Sequence, residues 1–452
     1  MGHATLRRAG GHPDRLLSLS GFALLFLLIL EEMYLLSGKY IFSFAAIVFL
    51  CIFAVSAFAR ASFHVRAIFL IALAISATSM VWLGSIEPLW VGLHRAEIFG
   101  AFIPAVIFLR ASFQDYSALF ANVRFNANDR PNPLLRALTG NYALGSLLNV
   151  GSLHLLASNL TASLAPKELP KLAQAAALGV ASAVMWSPFF VSMGFVSAML
   201  TQVSLGLLIL VCLSISVFSL LVFQYFLTGR VSFQELFSSL YSFKSLAWPL
   251  LVVTVCILGC STLFGFSGAQ SVVLVAPLLA VLLMLYRPVT IRQTVINAAQ
   301  GMSRISDELL IVIGAMLLSA SVGSLPYLRE LVTSIEPALI NPEVFILLSV
   351  LTLVGLGQIG LHPMIGASIL VPLLSAQDFG IHPLIIGAMC VFAWGMSAAV
   401  SVWTLPISVS AAVFQVPVTR LVSIRLLKMA LLNSFVISLL LCLLNRVLLI
   451  GA

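Results

Sequence analysis

A few polar residues stand isolated inside long apolar runs, and they are the ones able to do chemistry. His154, Ser158, Asn159 and Thr161 interrupt one run, and His362, Pro363 and Ser368 interrupt another. Ser187 with Pro188, and Ser401 and Thr404 with Pro406, interrupt two more. Serine, threonine and asparagine supply neutral oxygens and donors that suit a carboxylate or a small cation such as Na+. Histidine exchanges a proton near neutral pH, so His154 and His362 can bind an anion or carry a proton; equally, each can be a neutral imidazole bonded to a neighbouring carbonyl. Proline removes a helix hydrogen bond and clashes with the preceding turn. A helix broken at Pro188 or Pro406 would free carbonyls for a cation and offer an N-terminal end to an anion. An ordinary proline kink, satisfied by serine or threonine, is the plainer alternative at each.

The elements that must position these residues follow from composition. Of 452 residues, 61% are hydrophobic and 8% charged, against about a quarter charged in a soluble domain. This excludes a soluble core and makes lipid the solvent, so the expected fold is an all-α polytopic membrane protein. The net charge of +8 is spread through short gaps between apolar runs, which argues against nucleic acid as a partner. The six cysteines show neither paired nor metal-ligand spacing and read as packing residues. No metalloprotease, nucleotide-loop or metal-cluster pattern occurs, so an enzyme is not expected, and no cofactor or metal beyond a coupling Na+ or H+.

Spans are expected at 16–36, 40–59, 66–85, 96–112, 172–200, 203–227, 246–265, 268–286, 305–323, 383–415 and 428–449. Residues 134–165 and 343–375 are interrupted near their middles and read as helical hairpins that enter and leave by one side. With eleven crossings, two re-entrant hairpins and a cytoplasmic N-terminus, 19 of the 23 basic residues fall on the cytoplasmic side, and the C-terminus falls outside. The expected membrane is the cell inner membrane. Glu31 and Glu32 are expected at the interface, Arg95/Glu97 and Arg304/Glu308 as anchors or local ion pairs at span entrances, and 113–124 and 324–335 as amphipathic arms. No buried carboxylate is expected inside a span, which argues against a carboxylate proton relay.

The chain also resembles itself at a near-constant offset of about 208 to 218 residues. Gly92-Leu-His-Arg95 matches Gly301-Met-Ser-Arg304, Gly151-Ser-Leu-His154 matches Ile359-Gly-Leu-His362, and Trp186-Ser-Pro188 matches Trp403-Thr-Leu-Pro406. An odd number of crossings between the copies inverts the second, and inverted repeats with discontinuous helices are a mark of secondary transporters. Residues 1–91 and 201–300 read as scaffold helices, 92–200 and 301–416 as the two repeat cores, and 417–452 as a C-terminal helix.

This layout resembles the ion transporter superfamily, in particular the divalent anion/sodium symporters. Ser158-Asn159-Leu160-Thr161 is similar to that family's Ser-Asn-Thr hairpin signature, and the second hairpin reads His362-Pro363-Met364-Ile365-Gly366-Ala367-Ser368 in its place. The resemblance implies an inverted-repeat, elevator-type transporter fold of eleven helices and two opposed hairpins, often a homodimer. The expected function is secondary transport of a small anion, an organic carboxylate first, coupled to Na+ or H+. The other readings are the membrane subunit of a multi-component importer served by a binding protein, and a membrane-embedded enzyme acting on a lipid-linked substrate.

Overall fold

A computed structural model describes residues 13–114, 132–161, 165–229, 233–241, 243–286, 291–326, 330, 341–375 and 379–450. The described residues are helical and contain no strand. Nine apolar segments among them have the length to cross a bilayer: Ser20–Ser37, Tyr40–Arg60, Phe63–Leu83, Glu87–Phe113, Leu205–Thr228, Gly268–Leu285, Ser306–Ser324, Pro383–Val413 and Ile424–Ile450. The chain is therefore an all-α, multi-pass membrane protein. The eighth of these segments is interrupted at Ser401–Thr404 and is described below as two helices. The arms expected at 113–124 and 324–335 lie largely outside the described residues.

The chain divides into two units. The first is Met1–Asp115 with Ala276–Ala320, and the second is Tyr116–Val275 with Ser321–Ala452.

The first unit is built on α1 (Pro13–Ser37), α2 (Tyr40–Arg60), α3 (Phe63–Leu83) and α4 (Glu87–Gln114). α1 packs on α2 and α4, and α3 packs on α4. Two sequence expectations are corrected here. Glu97 is not at a span entrance: α4 begins at Glu87, so Glu97 lies well inside it, only 1% exposed. Glu31 is not interfacial either, at 3% exposed. Both are carboxyl groups inside apolar helices, where none was expected. Short contacts also fasten this unit: Arg60 Nη1 donates to Ser303 O at 3.0 Å, and the Ser62 amide donates to Asp307 Oδ1 at 3.0 Å.

Residues 291–303, outside the spans expected from the sequence, form a helix packed on α1 and α4. Its mixed composition hid it. The signal was the spacing of Thr294, Ala298 and Met302, which occupy one face and are buried.

The second unit contains α5 (Pro133–Leu148), α6 (Gly151–Thr161), α7 (Leu169–Val184), α8 (Val191–Met199), α9 (Leu205–Thr228), α10 (Phe233–Tyr241) and α11 (Lys244–Phe264). α12 (Gly268–Tyr286) starts in this unit and ends in the first, and α13 (Ile291–Ser303) and most of α14 (Ser306–Ser324) belong to the first. The second unit resumes with α15 (Pro342–Gln358), α16 (Pro363–Ser375), α17 (Pro383–Val400), α18 (Leu405–Val413) and α19 (Ile424–Ile450).

Its core is the pair α7 and α17. Every residue from Leu172 to Val184, and every residue from Leu384 to Val400, is buried. A helix apolar and buried on all sides belongs at the centre of a bundle. Small residues permit the close approach: α7 is rich in alanine, and Gly179 lies directly on the backbone of α5. The packing is paired. α5 lies on α7 as α15 lies on α17, α8 lies on α17, and α18 lies on α7.

At one end of this unit Arg446 holds Glu343, with Nε at 2.8 Å and Nη2 at 2.7 Å from the same Oε1. The hydrogen bond from Arg446 keeps the Glu343 carboxyl below the usual carboxylate range. A group depressed on folding contributes stability above its unfolded pKa and loses it as pH falls through the folded one. Both side chains are solvated, so the effect is small. Glu343→Gln is expected to lower Tm slightly at neutral pH and low salt, with the gap to wild type closing in acid and in high salt. A gap that persists in acid would contradict the assignment.

Candidate functional site

Two helical hairpins frame the site. Each opens on an Asn-Pro pair. Asn132 Oδ1 accepts from the Leu134 amide at 2.9 Å, and Asn341 Oδ1 accepts from the amides of Glu343 at 2.9 Å and Val344 at 3.2 Å. The following proline costs nothing, because its missing N–H would have had no helical partner. Each hairpin turns through one residue at positive φ: Asn149 at 54° between α5 and α6, and Gly360 at 84° between α15 and α16. Asparagine and glycine tolerate that geometry best.

Each hairpin is followed by a broken helix. α7 stops at Val184 and α8 begins at Val191; α17 stops at Val400 and α18 begins at Leu405. A serine fastens each break to its own hairpin. Ser187 Oγ donates to Ser146 O at 2.5 Å and accepts from the Phe189 amide at 3.3 Å. Ser401 Oγ donates to Gly357 O at 2.6 Å and accepts from the Trp403 amide at 3.2 Å. In both places the hydroxyl bonds a carbonyl at the end of the hairpin's first helix, and takes the N–H two residues ahead. A second hydroxyl then closes each gap: Ser192 Oγ donates to Val184 O at 3.0 Å, and Thr404 Oγ1 donates to Ala398 O at 3.0 Å and Ser401 O at 2.8 Å.

The residues singled out from the sequence separate into three groups. Ser187, Ser401 and Thr404 hold the breaks, with Pro188 buried in the first break and Pro406 buried at the second residue of α18. His362, Pro363 and Ser368 build the second hairpin. The His362 imidazole caps α16, accepting from the Met364 amide at 3.3 Å, and stands edge-on to Trp394 with ring centroids 5.0 Å apart. Pro363 begins α16 and is buried, and Ser368 Oγ donates to Ile365 O at 2.8 Å. His154 lies on the exposed face of α6, so the two histidines hold unlike positions. Ser158, Asn159 and Thr161 end α6, and their side chains lie outside the described residues.

The hydrogen bonds also correct the repeat register at the breaks. Ser187 corresponds to Ser401, so Trp186 does not correspond to Trp403. Trp186 is buried, whereas Trp403 is 70% exposed beside Gly360.

Three further groups have the most to offer a ligand. Trp186 Nε1, Gln358 Nε2 and Ser397 Oγ are buried and have no protein partner. Leaving a buried donor unpaired costs about 1–3 kcal/mol. Gln358 ends α15 beside Gly357, which is pressed against Ser397 of α17. α7 and α17 meet near there, where Gly395 lies against Met185 at the first break. The stretches 146–154, 185–192, 357–363 and 394–406 contain no Asp, Glu, Lys or Arg. The site offers neutral donors and helix ends rather than formal charges. Neither α8 nor α18 has a side-chain cap at its N-terminus, and the second residue of α18, Pro406, has no N–H to be capped.

No family model matches this chain, and no curated protein matches it either.

Proposed function

We propose that this protein is a secondary transporter of a small anion, an organic carboxylate first, with Na+ or H+ as the coupling ion. The observation that carries the reading is the duplicated device of the second unit: two hairpins, each tied by one serine to a helix broken in mid-course. Discontinuous helices set in repeats are how transporters place binding groups at membrane depth. The donors left over suit a carboxylate. An indole N–H, an amide N–H, a hydroxyl and two uncapped helix ends can receive negative charge with no arginine.

The same features support kinship with the ion transporter superfamily and the divalent anion/sodium symporters. On this reading eleven crossings and two opposed re-entrant hairpins form an inverted repeat in the cell inner membrane. The N-terminus is cytoplasmic and the C-terminus outside. The part holding the hairpins moves as an elevator against a scaffold, in a homodimer. Asn159 and its neighbours complete the first hairpin's contribution to substrate or cation.

The test is a thermal-shift screen of carboxylates and inorganic anions, with Na+ or K+ and across pH, followed by uptake into proteoliposomes. One anion is expected to raise Tm only with Na+ present or only in acid, and to accumulate when that gradient is imposed. Asn159→Ala should abolish the uptake with Tm unchanged. If an anion binds but never accumulates under either gradient, coupled transport is overturned.

A further inference from the structure

The first unit holds a second buried polar cluster, on which the transport reading makes no demand. Glu31 of α1 and Glu97 of α4 lie inside membrane-length apolar helices at 3% and 1% exposure. Carboxyl groups are rare in such helices, and where they occur they are paired and functional. Glu97 Oε2 accepts from the Ser43 hydroxyl at 2.9 Å and stands 3.0 Å from His94 Nδ1. Ser43 Oγ is itself 3.2 Å from the same nitrogen. Glu97 Oε1 and Glu31 Oε2 are buried and have no hydrogen-bond partner.

Tyr34 of α1 and His94 of α4 meet with ring centroids 6.1 Å apart, which brings Glu31 and Glu97, one turn deeper on each helix, toward one another between α1 and α4. Ionised carboxylates are acceptors only, so a hydrogen bond between the two requires a proton on one of them. With both ionised, two like charges would face each other away from water. The group 3.0 Å from Glu97 that can become a cation is His94, and only by taking up a proton itself. His94 of α4 and Tyr34 of α1 face the pair, and Tyr40 of α2 stands against Tyr34. α13, also packed on α1, brings only Arg292, exposed in its first turn; α3, packed on α4, has His64 and Arg66 in its first turn.

We infer that Glu31 and Glu97 share a single proton, and that His94 exchanges it with the protein surface. The His94 side chain is 41% exposed at one end and touches Glu97 at the other, which is the geometry of a shuttle. On release, the Glu97 carboxyl O–H bond breaks and an N–H bond forms at His94 Nδ1. The imidazolium then gives its Nε2 proton to water. Uptake runs the same bonds in reverse. In the emptied state the Ser43 hydroxyl and the His94 Nδ1–H both donate to the Glu97 carboxylate. The ligand of this site is a proton, and the inference stands whether or not the chain carries a solute.

Infrared difference spectroscopy on the purified full-length protein in lipid tests it. At neutral pH the wild type is expected to show the carbonyl stretch of a protonated carboxyl, shifted in D2O. Glu31→Gln and Glu97→Gln should each remove that band. His94→Ala should keep it but slow its D2O shift by about a hundredfold, the loss expected for a positioned proton-transfer group. If the glutamine variants do not fold, Glu31→Asp and Glu97→Asp keep the acid and must move the band. A band that survives in both glutamine variants, or that stays unmoved in both aspartate variants, overturns the shared proton. Wild-type exchange in His94→Ala overturns the shuttle.

Discussion

Gly179→Val is expected to prevent stable folding of the second unit. Gly179 sits in the middle of α7, where α5 crosses it. A Cβ there would overlap Leu138 O and stand 3.0 Å from both Asn141 Cβ and the Tyr142 nitrogen. Two of those three neighbours are backbone atoms of a helix that cannot yield without moving as a whole. Overpacking a core costs about 1–3 kcal/mol even when side chains can give way, and here they cannot. The same helix carries Ser182 and leads into Ser187, so a shifted α5 would also strain the bond from Ser187 to Ser146 O. Against a total stability of about 5–15 kcal/mol, the loss should appear as a large fall in Tm in detergent and a poor yield of monodisperse protein. A wild-type Tm would mean that α5 and α7 do not approach as described.

Ser397→Ala and Gln358→Leu are expected to act in the opposite sense on stability while damaging function. Each removes a buried polar atom with no protein partner. Replacing such a group by an apolar one removes a penalty of about 1–3 kcal/mol, so the ligand-free protein should melt higher than wild type. If these atoms hold the solute, the same change discards a contact, and each 1.4 kcal/mol lost weakens binding about tenfold. Higher Tm together with weakened ligand-induced stabilisation marks residues kept for function at a cost in stability. Lower Tm with unchanged ligand response would make them ordinary packing residues. Ser187→Ala and Ser401→Ala serve as the contrast, because they strip a donor from a buried carbonyl and should lower Tm.

Much of this was legible in the sequence, and what was not has identifiable physical causes. Apolar content alone established membrane helices, and Pro188 and Pro406 marked the regions of the two breaks, since proline cannot continue a helix. The serines that fasten the breaks were visible as candidates. Their partners were not, because Ser146 and Gly357 contribute backbone carbonyls 41 and 44 residues away, and any residue type has one. That Ser397 and Gln358 carry unpaired atoms was not legible, because an unpaired donor is a property of packing, not of spacing. Glu97 was misjudged for a related reason: the polar run His94-Arg95 looks like a membrane edge, and only the cover of α1 and Ser43 of α2 turns it inward. The family-like triplet Ser158, Asn159 and Thr161 remains a reading of residue types alone.

The cross-packing in the second unit means that its core cannot be halved. Each short helix, α8 or α18, lies on the long helix of the opposite repeat, with Gly387 receiving Val196 on one side and Ser410 bonding Ala173 O at 2.7 Å on the other. A polypeptide with only one repeat would leave its long helix bare along the flank that its twin now covers. Such a chain would need a second copy of itself to cover that flank, which is why the two halves of this core fold only together.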